Sequence, residues 1–370
     1  MKSINETDAE RTQPDDGERH VMTSKAESPS YPDKPDKPKR LDWKPILGSV
    51  LGVAVLVWLI SDQKSAEMWA QLKEASPGLL LIGLPVILVN MSVRAIRWRT
   101  LLGNKGLTLS FGRVFSALMI GYLANTVLPA RAGDLVRVYD LADDKALPLS
   151  WVLSTVFVER VLDMAAIILV LAVSALTAPL PDWLWNGALM LAIATAMGIG
   201  VLVVLGIAGE RLITAALRPF EKKAPKLAGI AKQSIVEFSR GLRQLRSIRV
   251  LTSFFVATAA LWVLEIGLVL VVAGAFSLPL SELDAAILML CSLFSSLIPA
   301  LPGQIGTFEL AMVTGLDFLG YSGPTALPFA FMLHLLLLGG TAMIGIACLV
   351  YRGLPLQLSS LTAGAPAQPK

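Results

Sequence analysis

Apolar runs of roughly twenty residues recur along this chain, each about the length a helix needs to cross the hydrocarbon core of a bilayer. They fall at about Pro45–Ile60, Gly78–Val93, Trp151–Leu176, Leu184–Ala208, Leu251–Phe276 and Ala326–Val350. Two further runs, Val114–Leu128 and Leu283–Leu316, break at proline and glycine. Backbone N–H and C=O groups in hydrocarbon must be satisfied within the chain, so the continuous runs are expected as helices. With 54% hydrophobic and 16% charged residues, a water-soluble globular domain is not expected. Cys291 and Cys348 lie inside apolar runs and read as small buried hydrophobes. His20 belongs to a polar tail and His334 to the last run, so no His/Cys metal cluster and no metal or other cofactor is expected.

The positions of Lys and Arg set the expected topology. Residues 1–44 are polar, carry the run Pro32-Asp-Lys-Pro35-Asp-Lys-Pro38, and read as a disordered tail, basic toward Lys44 and so cytoplasmic. Arg94, Arg97, Trp98 and Arg99 after the second run return the chain to the cytoplasm, and Arg137 and Lys145 do so after the first interrupted run. An apolar run flanked by basic residues at both ends reads as a re-entrant hairpin. Residues 210–249 form a basic cytoplasmic loop, with helical apolar spacing from Leu227 to Leu245; they read as a lipid-surface helix or a solvated loop. No Lys or Arg occurs from Val250 to Tyr351, and Arg352 closes the last run in the cytoplasm, followed by a short tail, 353–370. The expected fold is an all-α polytopic membrane bundle, domain 45–352. It has six full spans plus two re-entrant broken-helix elements in inverted halves, with both termini cytoplasmic.

The two breaks resemble each other. Leu128-Pro129-Ala130 precedes Gly133 and Asp134; Ile298-Pro299-Ala300 precedes Pro302, Gly303, Gln304, Gly306 and Glu309. Proline removes a helix donor and glycine loosens the next turn. Interrupted segments at corresponding positions of two inverted halves point to a transporter's substrate site, and exposed N–H groups at a new helix start attract anions. Intramembrane charge is by default functional. Arg131, Arg137 and Arg160 are therefore read as phosphate ligands, because guanidinium matches phosphate oxygens in a fork. Asp134 and Glu309 would receive an amino group or orient the breaks. Asn125, Pro129 and Gly133 on one side, and Pro302, Gly303, Gln304 and Gly306 on the other, would line the site.

Glu159 and Asp163 stand four apart and share a helix face. They read as an ion-pair set that pins the helix, as partners of Arg131 or Arg137, or as a protonatable pair. Glu265 lies mid-run with no cation near it in sequence, is expected neutral if it faces apolar surroundings, and with Glu309 leaves proton coupling open. Arg94, Arg97 and Arg99 read as headgroup-level residues, Arg94 and Arg97 snorkelling from the end of a span. His334 reads as a satisfied helix-packing residue rather than a proton relay.

Four segments in order, Asn90–Arg99, Asn125–Arg137, Glu159–Asp163 and Pro302–Glu309, resemble the lysylphosphatidylglycerol synthase transmembrane-region family, whose members are also called flippase-like or UPF0104 proteins. The resemblance covers roughly Ile46 to Arg352. It implies a multi-pass protein of the bacterial cytoplasmic (inner) membrane that translocates lipid. In fused members a soluble aminoacyltransferase domain follows the membrane region; this chain ends at Lys370, so lysyl transfer by it is not expected. Gln304 stands where the family commonly shows a second glycine.

The expected function is a lipid flippase, not an enzyme, moving an anionic or aminoacylated phospholipid. Membrane lipids with an anionic headgroup are the expected partners, a homo-oligomer is open, and nucleic acid is not expected. One alternative is a non-catalytic membrane partner of a separately encoded glycosyl- or aminoacyltransferase. A headgroup-modifying enzyme is less favoured, because no nucleophile–base pair or phosphate loop stands out.

Overall fold

A computed structural model of the chain describes residues 65–128, 131–142, 147–177, 182–221, 225–295 and 302–354, all within the unit Asp42–Lys370. The expected span Pro45–Ile60, Pro129 and Pro299, and nearly all of both tails lie outside the described residues.

The described residues are helical throughout, with no strand among them. In chain order the helices are α1 (Ser65–Glu74), α2 (Pro77–Leu101), α3 (Gly103–Thr108), α4 (Phe111–Val127), α5 (Gly133–Ala142) and α6 (Leu149–Thr177). After these come α7 (Asp182–Glu221), α8 (Pro225–Leu242), α9 (Ile248–Ala275), α10 (Glu282–Ser295), α11 (Thr307–Phe318) and α12 (Ala326–Tyr351).

Among the described residues, four helices are long and apolar enough to cross a membrane: α2, the Leu184–Gly206 part of α7, α9 and α12. Their outer faces carry large apolar side chains in the open, among them Leu81, Met190, Val256, Val263 and Met343. A helix apolar on every side needs a hydrocarbon environment or a very large core. The chain is thus a multi-pass helical membrane protein. The expected run Trp151–Leu176 lies within α6, whose 29 residues reach roughly 43 Å at 1.5 Å each, with its charges from Glu159 to the central Asp163.

Two boundaries differ from the sequence reading. α2 continues past Val93 to Leu101 and takes Arg94, Arg97 and Arg99 into the helix. Nothing after Pro85 breaks it, and carboxylates on neighbouring helices accept Arg94 and Arg97. The basic segment 210–249 is also largely helical: α7 extends to Glu221 and α8 turns the helical spacing near Leu227 into a helix packed against α6 and α7.

Each interrupted run is a helical hairpin. α4 is capped by Ser110, whose side chain accepts from the Arg113 N–H, and it stops at Leu128 in an extended conformation, as the residue before proline must. α5 returns against α4 at Gly121 and Gly133. A Cβ on Gly133 would meet the Gly121 carbonyl and lie 2.6 Å from Asn125 Oδ1. The second hairpin packs α11 on α10 at Gly315, where a Cβ would lie 2.9 Å from Leu288 and 3.1 Å from Cys291 Sγ.

Long helix, hairpin, long helix is therefore the order in both halves: α2, α4–α5, α6 and then α9, α10–α11, α12. The two leading helices, α2 and α9, pack closely on each other. The hairpins cross over, α4 lying on the last helix of the second half, α12, and α10 touching the last helix of the first, α6. A single large core of Ile87, Met119, Leu268, Ile287, Phe329 and their neighbours joins the halves.

Candidate functional site

Helix geometry builds the site. Asn90, Arg94 and Arg97 recur at helical spacing along α2, and Glu159 and Asp163 do so on α6. The packing of α2 against α6 and α9 turns these stripes toward each other. Arg97 is only 2% exposed. It reaches Asp163 Oδ1 at 2.6 Å and Oδ2 at 3.1 Å, Glu159 Oε1 at 2.9 Å and Thr258 Oγ1 at 3.1 Å. Its guanidinium also lies 4.8 Å from the centre of the Phe254 ring. The expectation that Arg97 snorkels to headgroups is corrected: a cation held by two carboxylates has no need of water.

Arg94 is likewise held inside, by Glu265 of α9 and, through Nε, by Asn90 Oδ1 at 2.9 Å. Glu265 therefore has its cation, supplied by another helix. Beside this pair a small cleft opens between α2, α9 and α12, walled by Val86, Ile87, Met91, Leu264, Leu268 and Leu337. Arg99 turns back to the Gly106 carbonyl at 3.2 Å.

The first hairpin brings the remaining charges. Gly133 donates its N–H to Asn125 Oδ1 at 2.7 Å, which ties the two sides of the break together. Asp134 receives a fork from Arg160, with Nη2 at 2.6 and 2.8 Å and Nε at 3.1 Å. Arg137 is fully buried, its Nη2 is 3.0 Å from Glu159 Oε2, and its guanidinium lies 4.9 Å from the Trp98 ring centre. The Arg137–Glu159 pair is close in charge but poorly aligned, leaving Arg137 Nε, Nη1 and Nη2 without an aligned acceptor among the described residues. Arg131 is exposed, sits at φ 55°, and makes no hydrogen bond or ion pair among the described residues. Its electrostatic neighbours are Arg160 and Asp134.

Arg94, Arg97, Arg131, Arg137 and Arg160 thus stand with Asp134, Glu159, Asp163 and Glu265, one more guanidinium than carboxylates. Such a cluster can hold an anion with delocalised oxygens, and Arg131 at the mouth of the break has the coordination to spare.

The second break is built differently. Gly303, Gln304 and Gly306 all have positive φ, at 73°, 61° and 89°. Glu309 caps its own helix, Oε2 accepting from the Gly306 N–H at 2.7 Å, and Oε1 lies 2.6 Å from His334 Nδ1. Thr307 Oγ1 donates to the Gln304 carbonyl at 3.1 Å. The turn Pro302–Gln304 packs on the end of α4: a Cβ on Gly303 would lie 3.8 Å from the Thr126 carbonyl oxygen. Hence the two breaks adjoin, but Glu309 does not join the arginine cluster.

Sequence reasoning missed three partners. Asn90 was legible as one turn below Arg94 on the same helical stripe. Glu265 for Arg94 and His334 for Glu309 are long-range pairs with no local signal. The shared partner of Arg113 and Arg352 had no local signal either: both bind Asp140, at 2.7 Å each, and fasten the base of the first hairpin to the end of α12.

A family model described as the lysylphosphatidylglycerol synthase TM region matches residues 46–345. A protein named Glycosyltransferase AglD, from Haloferax volcanii, is 26% identical over 318 residues, which cover 76% of this chain and 49% of that protein. The chain thus spans about half the length of that relative. A protein named UPF0104 membrane protein, from Methanothermobacter thermautotrophicus, is 23% identical over 320 residues, 82% of this chain and 94% of that protein. No solved structure matches.

Proposed function

The chain belongs to the lysylphosphatidylglycerol synthase transmembrane-region family, and from that premise we propose that it moves an anionic or aminoacylated phospholipid between membrane leaflets. The observation that carries this reading is Arg131. It is the guanidinium left over from an otherwise ion-paired cluster, and it stands at a helix break that adjoins a second break. A phosphate arriving at Arg131 would bring the cluster to charge balance and find Arg160 beside it. Arg137, ion-paired with Glu159 and Asp134 but without an aligned hydrogen bond, could also turn to the phosphate, though this side chain is buried and would have to be uncovered as the hairpin moves. An amino group on the headgroup would meet Asp134. The protein would work in the cytoplasmic membrane, with both termini on the cytoplasmic side, as the Lys and Arg distribution favours.

The test is reconstitution into liposomes that carry a headgroup-labelled anionic phospholipid, with an impermeant quencher outside. Intact protein should expose nearly all the label to the quencher, whereas empty liposomes should expose about the half in the outer leaflet. Arg131→Ala protein, inserted to the same level, should slow the exchange at least about tenfold, the loss of one charge-assisted contact. Equal rates would remove Arg131 from the site; no exchange with intact protein would remove translocation.

A second reading has its own support. The chain matches half of a relative named a glycosyltransferase, so a membrane partner of a separately encoded transferase is the alternative, with basic α8 and its flanks as the docking surface. Purified protein that moves no lipid, yet binds such an enzyme only while residues 225–249 keep their basic side chains, would favour it.

A further inference from the structure

The Glu309–His334 pair carries an inference that rests on the translocation reading and supplies what that reading lacks, a driving force. His334 of α12 is buried and uses both ring nitrogens: Nε2 is 2.9 Å from the Gly303 carbonyl oxygen and Nδ1 is 2.6 Å from Glu309 Oε1. A carbonyl can only accept, so Nε2 must carry a hydrogen. If Nδ1 were bare, its lone pair would face a carboxylate oxygen at hydrogen-bond distance. A proton must therefore lie between Nδ1 and Oε1. Glu309 Oε2 accepts from the Gly306 N–H, and the carboxyl sits in the first turn of α11, where the helix favours negative charge. Both carboxylate oxygens thus have a donor when the shared proton rests on Nδ1.

The other charged and titratable groups on the packed elements lie elsewhere. Glu282 is exposed at the start of α10, and Glu67, Lys73 and Glu74 are exposed on α1. Tyr122 of α4 stands by the arginine cluster, and Arg352 at the end of α12 binds Asp140. On α10, Asp284 accepts from Tyr321, and Cys291 lies against Gly315. On α11 itself Asp317 binds Ser322. Toward α12, Arg94 of α2 holds Glu265 of α9, and Arg113 of α4 holds Asp140. Among the described residues, Glu309 has His334 as its one ionisable partner.

We propose that this pair is a proton-binding site and that the proton is the coupling ion for lipid movement. The proton is held as an imidazolium–carboxylate pair. When it leaves Nδ1 for water on one side, a carboxylate is left facing a lone pair in a buried site, and the two side chains must part. His334 then loosens its hold on the Gly303 carbonyl. That carbonyl belongs to the turn that rests on the end of α4, next to the first break. Proton release at the second break is in this way linked mechanically to the hairpin that carries Arg131.

The test uses the full chain, which has two histidines, so His20→Gln leaves His334 as the sole imidazole. With 15N-histidine labelling, the expected spectrum near neutral pH has both ring nitrogens protonated, and Glu309→Gln should return the ring to a neutral form. A bare Nδ1 in the otherwise native protein between about pH 5 and 8 overturns the site, whether or not the variant folds. In the same liposomes, one unit of pH gradient should tilt the leaflet distribution of the labelled lipid by about tenfold, for one proton per lipid, and His334→Gln should abolish the tilt. Exchange without any tilt overturns the coupling and leaves translocation standing. No exchange in any arm removes translocation and the coupling with it, and leaves the spectrum to report a proton of purely structural use.

Discussion

At the scale of single residues, the arginine cluster is a case of charge buried at great cost unless every partner is kept. Arg97 shows this best, since it serves two carboxylates, one of them only 1% exposed, and a threonine from a third helix. Removing one member of a buried ion pair costs about 3–5 kcal/mol, because the partner's charge is left uncompensated. Arg97→Ala should therefore lower stability by about that amount, read as a fall in the unfolding midpoint of detergent-solubilised protein. Arg240→Ala is the control. Its pair with Glu237 spans one turn of α8 and its side chain is 51% exposed, so the expected change is no more than about 0.5 kcal/mol. Equal effects from the two would mean that Glu159 and Asp163 find other partners. The stripe Asn90, Arg94, Arg97 was legible as a helix face, but its depth was not. Three arginines at the end of an apolar run look like an interfacial cluster until carboxylates from distant sequence are placed against them. The left-handed φ of Gln304 was equally hidden, although its neighbours Gly303 and Gly306 marked the turn.

At the scale of elements, the helical hairpin is the unit that places the site. Its two arms can lie close because Gly121 and Gly133 face one another where α4 and α5 touch. A methyl group on Gly133 would strike the Gly121 carbonyl and the Asn125 side chain, the side chain that bonds the Gly133 N–H across the break. Gly133→Ala should thus separate the arms and cost about 1–3 kcal/mol, the usual range for overpacking. The same change at Gly112 of α4, where a Cβ would meet nothing within 4 Å, should be close to neutral. Thermal unfolding of both variants checks this, and a neutral Gly133→Ala would mean that the arms do not need their close approach. Both hairpins were visible in sequence as interrupted apolar runs, since proline and glycine act through the local backbone. Their packing partners were not, because a glycine reveals closeness without saying to what. The extent of α7 was misjudged for a related reason. Hydropathy falls after Ala208, and a polar helix gives no apolar signal to follow.

At the scale of the whole molecule, the order of helices repeats: a long helix, a hairpin, a long helix. Two halves with that order can be related either by an axis along the membrane normal or by one in its plane, and charge distinguishes the two. The first hairpin has Arg113 at its start and Arg131 and Arg137 at and after its break, whereas no Lys or Arg occurs between Val250 and Tyr351. Basic residues stay cytoplasmic, so the first hairpin should open to the cytoplasm and the second to the opposite side. An inverted pair also suits the contact between the breaks: two hairpins entering from opposite faces touch at their tips, as the turn at Gly303 touches the end of α4. Single cysteines test it. Cys291 and Cys348 are the only native cysteines and neither is in a disulfide, so both can be replaced by alanine. Arg131→Cys and Gln304→Cys, made separately, place a thiol at each break on a backbone that already carries a side chain at positive φ. An impermeant maleimide should label the first from the cytoplasmic face of inverted vesicles and the second from the outer face of intact cells. Labelling of both from one face would make the repeat parallel. The shared contact would then be a meeting of two hairpins on one side, and alternating exposure of Arg131 would need a different hinge.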